Sequence, residues 1–242
     1  GLVSIDTIGS DFDTVLGVYT GNDLASLVTV AEDDNSGPGR TSEVWFRAAA
    51  GATYQILVDG ARDADGNVSA GDLALNLKQL PDNDFVGMAR RLEGDVVTVR
   101  DSNIGATTES SEPVHGRNGG GHTLWFNWHA NATGPARVDA HGSAIPVLLA
   151  VYDGLNFATP HRVAHHDDPN APSLVRFEAV AGHEYFLAVD GYQGANATGA
   201  IVISLDQTAT SNDLFANRVP LDEESHLVLG SNVDATHEPG EP

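Results

Sequence analysis

Side chains carrying oxygen dominate the chemistry open to this chain. Asp82, Asn83 and Asp84 stand together, Asn103, Glu109 and Glu112 follow at short range, and the pattern returns as Asn212, Asp213, Asn232, Glu238 and Glu241. Hard oxygen donors gathered from neighbouring loops suit calcium, which takes about six to eight oxygen ligands. The same residue types have a plainer use: Asn83 or Asp84 can cap a helical turn and Asn103 can hold a left-handed turn. Adjacent aspartates at Asp33-Asp34 and Asp167-Asp168 repel one another and belong in loops where water or a cation screens them. The run from Asp63 to Ser69 is faintly like a calcium loop, but Gly66 is not where such a loop needs its glycine, so it reads as the tip of an inserted hairpin.

Catalytic patterns are missing. Ser, His and Asp are abundant, yet there is no nucleophile elbow, metalloprotease helix or phosphate loop. Cysteine is absent, which excludes disulfides and thiolate chemistry. A formal net charge of −22, with a single lysine at Lys78, repels phosphate backbones and anionic lipid. Nucleic acid is therefore not an expected partner, and no apolar run is long enough for membrane insertion.

The elements that must position these residues are strands. Gly9 to Gly21, GSDFDTVLGVYTG, has a second version at Gly142 to Gly154, GSAIPVLLAVYDG; each is an apolar run closed by a turn dipeptide. Gly1 to Asp6 is echoed by Gly134 to Asp139, and Asp33-Asp34 by Asp167-Asp168. Ala50 to Gly60 is echoed by Ala181 to Gly191, and Ser102 to Pro113 by Ser231 to Pro242. Period-two patterns at Tyr54, Ile56 and Val58, matched by Tyr185, Leu187 and Val189, mark one inward face. Leu73, Leu75 and Leu77 read as another strand. A short helical turn is expected from Asn83 to Leu92, with Phe85, Ala89 and Leu92 on one side.

Comparing the copies also sorts exposure. Trp45 matches Arg176 and is expected to face solvent, whereas Phe46 matches Phe177 and is expected inside. Trp125 and Trp128, three apart in LWFNW, fall on opposite faces of a strand, so at most one is expected in the core. His165 and His166 match Ala31 and Glu32, which argues for loop histidines rather than a zinc site; His115, His122 and His129 have no better claim. The phasing predicts the back half of a β-sandwich repeat at 1–81, a complete repeat at 82–206 and the front part of another at 207–242.

NDxF, SNxxAT followed by EP, LWFNW, GSxFDTVLGVYTG and AGxxYxIxVDG together resemble the tandem β-sandwich repeats of large secreted or surface proteins of bacteria. Those are similar to bacterial pre-peptidase C-terminal, collagen-binding-like domains. The resemblance implies an all-β fold of tandem jelly-roll-like antiparallel β-sandwich repeats, located outside the cell or on its surface, with a structural or adhesive role and no catalysis. In such domains an Asn-Asp pair near the start can hold calcium, which points to Asn83-Asp84 and Asn212-Asp213. The partners to expect are neighbouring repeats of a longer array, or copies of the same chain, in which case 207–242 completes 1–81 of another molecule to give a filament. The competing expectation is an accessory module of a secreted hydrolase that binds a surface glycan or matrix protein through Trp45 and one of Trp125 or Trp128.

Overall fold

A computed structural model describes residues 1–116, 120–154, 156, 158–171, 173–192 and 197–207. The expectations placed on Asn212, Asp213, Asn232, Glu238 and Glu241, and on the 208–242 stretch, lie outside the described residues. The chain divides into two compact units, Gly1–Asp82 and Asn83–Pro242.

Unit 1 contains β1 (Leu2–Asp6), β2 (Thr14–Thr20), β3 (Val28–Asp33), β4 (Glu43–Arg47), β5 (Gln55–Gly60) and β6 (Asn76–Leu80). They form two three-stranded antiparallel sheets, ordered β4-β1-β6 and β3-β2-β5. Ile5, Leu16, Val18 and Val44 are buried between them, with Phe46, Tyr54 and Val58 packed alongside. Thr7, Thr14 and Ser42 are buried in a small polar knot: the Thr7 and Thr14 hydroxyls lie 2.6 Å apart and Ser42 Oγ donates to Thr14 O. Buried hydroxyls are tolerable here because each finds a partner.

Unit 2 contains β7 (Arg90–Leu92), β8 (Val96–Ser102), β9 (Leu124–His129), β10 (Gly134–Asp139), β11 (Val147–Asp153), β12 (Arg162–His166), β13 (Leu174–Ala179), β14 (Glu184–Gly191) and β15 (Ala200–Asp206). One sheet runs β13-β10-β15-β8 and the other β12-β11-β14-β9-β7; among the described residues only the β7–β9 pair is parallel. The result is an all-β sandwich whose inner faces alternate with outward residues. Phe126, Trp128, Val138, Leu149, Phe177, Leu187 and Ile203 fill its core.

The pairing in unit 1 recurs inside unit 2. Ile5 opposes Val44 and Leu77, as Val138 opposes Val175 and Leu205. The β2–β3 ladder slips between Val18 and Tyr19, and the β11–β12 ladder slips between Val151 and Tyr152. The Ala49 amide donates to the Tyr54 hydroxyl, and the Val180 amide to the Tyr185 hydroxyl, each at 2.9 Å. Unit 2 has β8 beside β15 and β9 beside β14; among the described residues, the matching strands β6 and β5 end their sheets.

The structure corrects four expectations. The short helical turn expected over Asn83 to Leu92 is present as a single 3-10 turn at Val86–Met88, but it ends before Leu92, because Arg90–Leu92 finds the edge of β9 and becomes β7. Trp125 and Trp128 do lie on opposite faces of β9, but both are fully buried. Trp128 sits in the sandwich core, while Trp125 packs with Ala150, Tyr152, Ala188, Val86 and Ala89 on the sheet's other face, which is covered. Neither ring is an exposed ligand contact. The inward face holds for Tyr185, Leu187 and Val189, but Ile56 is 39% exposed in unit 1, where Leu187 of unit 2 is 1% exposed. Finally, Asp33 opposes Leu16 and His166 opposes Leu149, so Asp33 corresponds to His166 and the alignment of the two loops shifts by one. As expected, Trp45 is exposed, and Arg62 bridges Val68 to close a hairpin tip.

Matched substitutions should therefore differ in cost. Denaturant titration should show that Leu187→Ala loses about 2–5 kcal/mol through its buried cavity, while Ile56→Ala falls well below that range.

Candidate functional site

The covered face of the β12-β11-β14-β9-β7 sheet carries a buried acidic cluster. Its floor is Trp125 on β9 and Tyr152 at the end of β11. Asn83 starts the segment that lies over this face: its carbonyl accepts from the Trp125 amide at 2.9 Å, and its side-chain amide donates to Trp125 O. That double bond places Asp84 inward, at 1% exposure. The loop after β8 then brings back Thr107, Glu109, Glu112 and His115.

Each carboxylate is tied to a defined donor. Asp84 accepts from both the Thr107 amide (2.6 Å) and the Thr107 hydroxyl (2.8 Å). Glu109 accepts from the Val86 amide. Glu112 accepts from the Glu109 amide and the Thr123 hydroxyl and pairs with His115 Nε2 at 2.6 Å, while His115 Nδ1 meets the Tyr152 hydroxyl at 2.8 Å. Asp190, buried at the end of β14, accepts from the amides of Gly121, His122 and Gly191, with Thr123 Oγ1 3.2 Å from its Oδ2. Arg162 on β12 closes the rim by donating to the carbonyls of Val114 and His115.

Burial disfavours the charged forms in this cluster. It holds the Asp84 carboxyl above its ordinary range, against the two Thr107 hydrogen bonds and with the Glu112 charge adding to the rise. Glu109 is raised for the same reasons: burial first, opposed by the Val86 bond, then the charges of Glu112 and Asp84. The Tyr152 hydroxyl is pushed up to about 12, again mainly by burial.

Of the residues expected to gather around an ion, the structure brings Asp84, Glu109 and Glu112 together. The rest have other work. Asp82 belongs to unit 1, where its carboxylate pairs with Arg47 at 2.8 Å. Asn83 pins Trp125. Asn103 is fully buried and ties the strand end to distant loops, donating to the carbonyls of His122 and Ala197 and accepting from the Gly199 amide. The charges of the three carboxylates suit a hard cation, and oxygens of all three accept hydrogen bonds from the surrounding loops. Among the described residues no group of three or more His, Asp or Glu side chains is set to hold a metal ion. Asp33 is likewise a loop organiser, accepting from Ser36 and the Glu43 amide, which lowers its pKa despite partial burial.

Sequence reasoning missed Asp190, Thr123 and Tyr152, and weighed His115 only as a zinc ligand. A signal existed for Asp190: it shares the VDG motif with Asp59, which in unit 1 is exposed and bonds only to the adjacent Gly60 amide among the hydrogen bonds seen.

This geometry defines an antiparallel β-sandwich protein with a plugged outer face. Similarity to solved structures is low. About half the chain (49%) aligns with 94% of the pre-peptidase C-terminal domain of collagenase from Bacillus anthracis, at 18% identity and a TM-score of 0.32. A comparable portion (48%) aligns with 91% of PliG from Aeromonas hydrophila, a periplasmic inhibitor of g-type lysozyme, at 14% identity and a TM-score of 0.33. No protein-family profile and no curated protein matches the chain.

The sign of the charge effect follows from the raised values. A carboxyl whose folded pKa lies above its unfolded one contributes most stability below the ordinary carboxyl range, and loses it as pH rises through the ordinary value to the folded one. At pH 7, without added divalent cations, Glu109→Gln, which keeps an acceptor for the Val86 amide, should melt higher than the parent. That gap should close as pH falls below about 4, where the parent glutamate is protonated too. Melts across pH check this.

Proposed function

We propose that the chain is a non-catalytic structural segment of an extracellular or cell-surface protein, built from tandem β-sandwich repeats that join end to end. The observation that carries this reading is the contrast between sequence-matched residues. Leu73, Leu75 and Leu77 are 49%, 46% and 64% exposed in unit 1, whereas Ile201, Ile203 and Leu205 in unit 2 are each 1% exposed. Leu57 is 45% exposed where Ala188 is 1% exposed. A sheet that ends on open backbone groups beside exposed leucines is a template for another strand. Shared ladder slips, tyrosine bonds and strand orders support treating both units as versions of one repeat. A filament follows if 207–242 of one molecule completes unit 1 of the next, since a head-to-tail contact of this kind does not close on itself.

Catalysis is left out because the carboxylates are buried against Trp125 and bonded to their own backbone. Calcium enters as a stiffener of the loops over the outer face, with Asp84, Glu109 and Glu112 supplying the charge; relief of their mutual repulsion is the gain. The second reading, a glycan- or matrix-binding module, rests on Trp45 at 47% exposure on β4. Binding to glycan or collagen surfaces that disappears in Trp45→Ala would favour it.

Size measurement across protein concentration tests the main reading. Growth of the species with concentration is expected, and a monomer at every concentration contradicts it. Added calcium is expected to raise the melting temperature reversibly with chelator, and to raise it less in Glu109→Gln; an unchanged melt removes calcium from the account.

A further inference from the structure

We infer that the outer face of the β4-β1-β6 sheet, centred on Trp45, binds an uncharged pyranose glycan. This rests on the second reading above and gives that site its ligand class and its polar partners. The ladders of unit 1 place the residues. Trp45 and Lys78 both lie opposite Ser4, and Glu43 and Asn76 both lie opposite Asp6. Directly opposed residues share a face, as do residues two apart on a strand, so these six side chains form two adjoining rows. With strands about 4.8 Å apart and alternate residues about 6.8 Å apart along each, the rows cover roughly 10 Å by 7 Å, the footprint of a disaccharide.

The exposure of the ring does not depend on which strands lie beside β6. β4 ends its sheet in unit 1 as β13 does in unit 2. Arg176, which holds Trp45's place in the register of unit 2, is exposed as well. Only the side chains differ. The row Trp45-Ser4-Lys78 of unit 1 is Arg176-Arg137-Asp206 in unit 2, where Arg137 pairs with Asp139 at 2.6 Å.

Both sides of a sugar's chemistry are met on this face. Among the described residues of β1, β4 and β6, Trp45 is the one exposed apolar side chain presented there, at 47%; Leu2 and Leu80, one row further along, are buried. An indole takes the C–H face of a pyranose as it takes other flat apolar surface. The polar side chains beside it are held from within the sheet. Asp6, 1% exposed, accepts from the Ile8 amide and from Asn76 Nδ2 at 2.7 Å, and lies 3.7 Å from Lys78 Nζ. Glu43 Oε1 accepts from the Ser4 hydroxyl at 3.2 Å. Lys78, its side chain 59% exposed, therefore offers donors, and Glu43 an acceptor, to hydroxyls around a ring seated on Trp45. Their opposite signs select against a charged ligand, since a uronate would face Glu43 and a free amino sugar would face Lys78. A protein partner fits less well, because the buried core of a protein interface is richer in apolar residues than a single ring among polar side chains.

The tryptophans make binding readable. Trp125 and Trp128 are fully buried, so acrylamide quenching of the intrinsic fluorescence reports on Trp45. Cellohexaose and N-acetylchitohexaose are the uncharged probes, oligogalacturonate the charged one and a collagen peptide the matrix probe. At least one uncharged hexaose should shield the fluorescence saturably, and oligogalacturonate should not. By calorimetry Trp45→Arg, which supplies the residue that the fold already carries at the matched position, should weaken hexaose binding by about tenfold or more, with the melting temperature unchanged. Glu43→Gln, which keeps an acceptor for Ser4, should weaken it by a smaller factor.

If the collagen peptide binds through Trp45 while both hexaoses stay inert, the glycan is overturned and the second reading stands. Binding of oligogalacturonate in place of the hexaoses overturns the uncharged class. Hexaose binding that survives Trp45→Arg overturns the site, and binding indifferent to Glu43→Gln overturns the assigned polar partners. If no probe binds, both the site and the reading beneath it fail.

Discussion

A β-sheet edge is a row of backbone donors and acceptors with no partner, and the residues beside it lose half their cover. Most of what distinguishes the two units follows from how that row is handled. In unit 2 the segments before β10 supply β8 to one sheet and β9 with β7 to the other, and Ile203, Leu205 and Leu187 become fully buried. Among the described residues, the corresponding strands of unit 1 pair in the same register and end at β6 and β5, and Leu75, Leu77 and Ile56 meet solvent. The difference is one of neighbours, not of local sequence preference.

The segment that closes unit 2 does a second thing. Between Asn83 and Thr123 it lies over the sheet's outer face and buries Trp125 there, with His115 edge-on to its ring at 5.3 Å and to Tyr152 at 5.9 Å. An outer face so covered cannot be lined by apolar residues alone, because the covering loops carry backbone amides that must be satisfied. Asp84, Glu109, Glu112 and Asp190 do this, taking amides from Thr107, Val86, Glu109, Gly121 and His122. Burying several carboxylates together raises the pKa of Asp84 and Glu109, so the cement of this loop system is sensitive to charge.

How much of this was legible beforehand depended on the range of the interaction concerned. Alternation and recurring turns located most of the strands, and Tyr54 and Tyr185, which internal comparison aligned, make equivalent bonds back to Ala49 and Val180. Gly21, at φ 123, is required where the chain turns back: a Cβ there would lie 2.6 Å from Ser26 O. What escaped was set by distant partners. Arg90–Leu92 looks helical in isolation and becomes a strand only because β9 offers an edge. Trp125 has the spacing of an outward residue, and nothing local says that the loop from Asn83 returns to cover it. Asp33-Asp34 and Asp167-Asp168 share a dipeptide, and that local identity outweighed the ladder, which sets Asp33 with His166.

If the units are versions of one repeat joined end to end, a further strand lies along the edge of β6 that faces away from β1. Amide hydrogen exchange along 73–80, followed as protein concentration is raised, tests it most directly. Slower exchange with concentration, at the amides that face away from β1, is the predicted result; exchange of those amides that is fast and independent of concentration would contradict it.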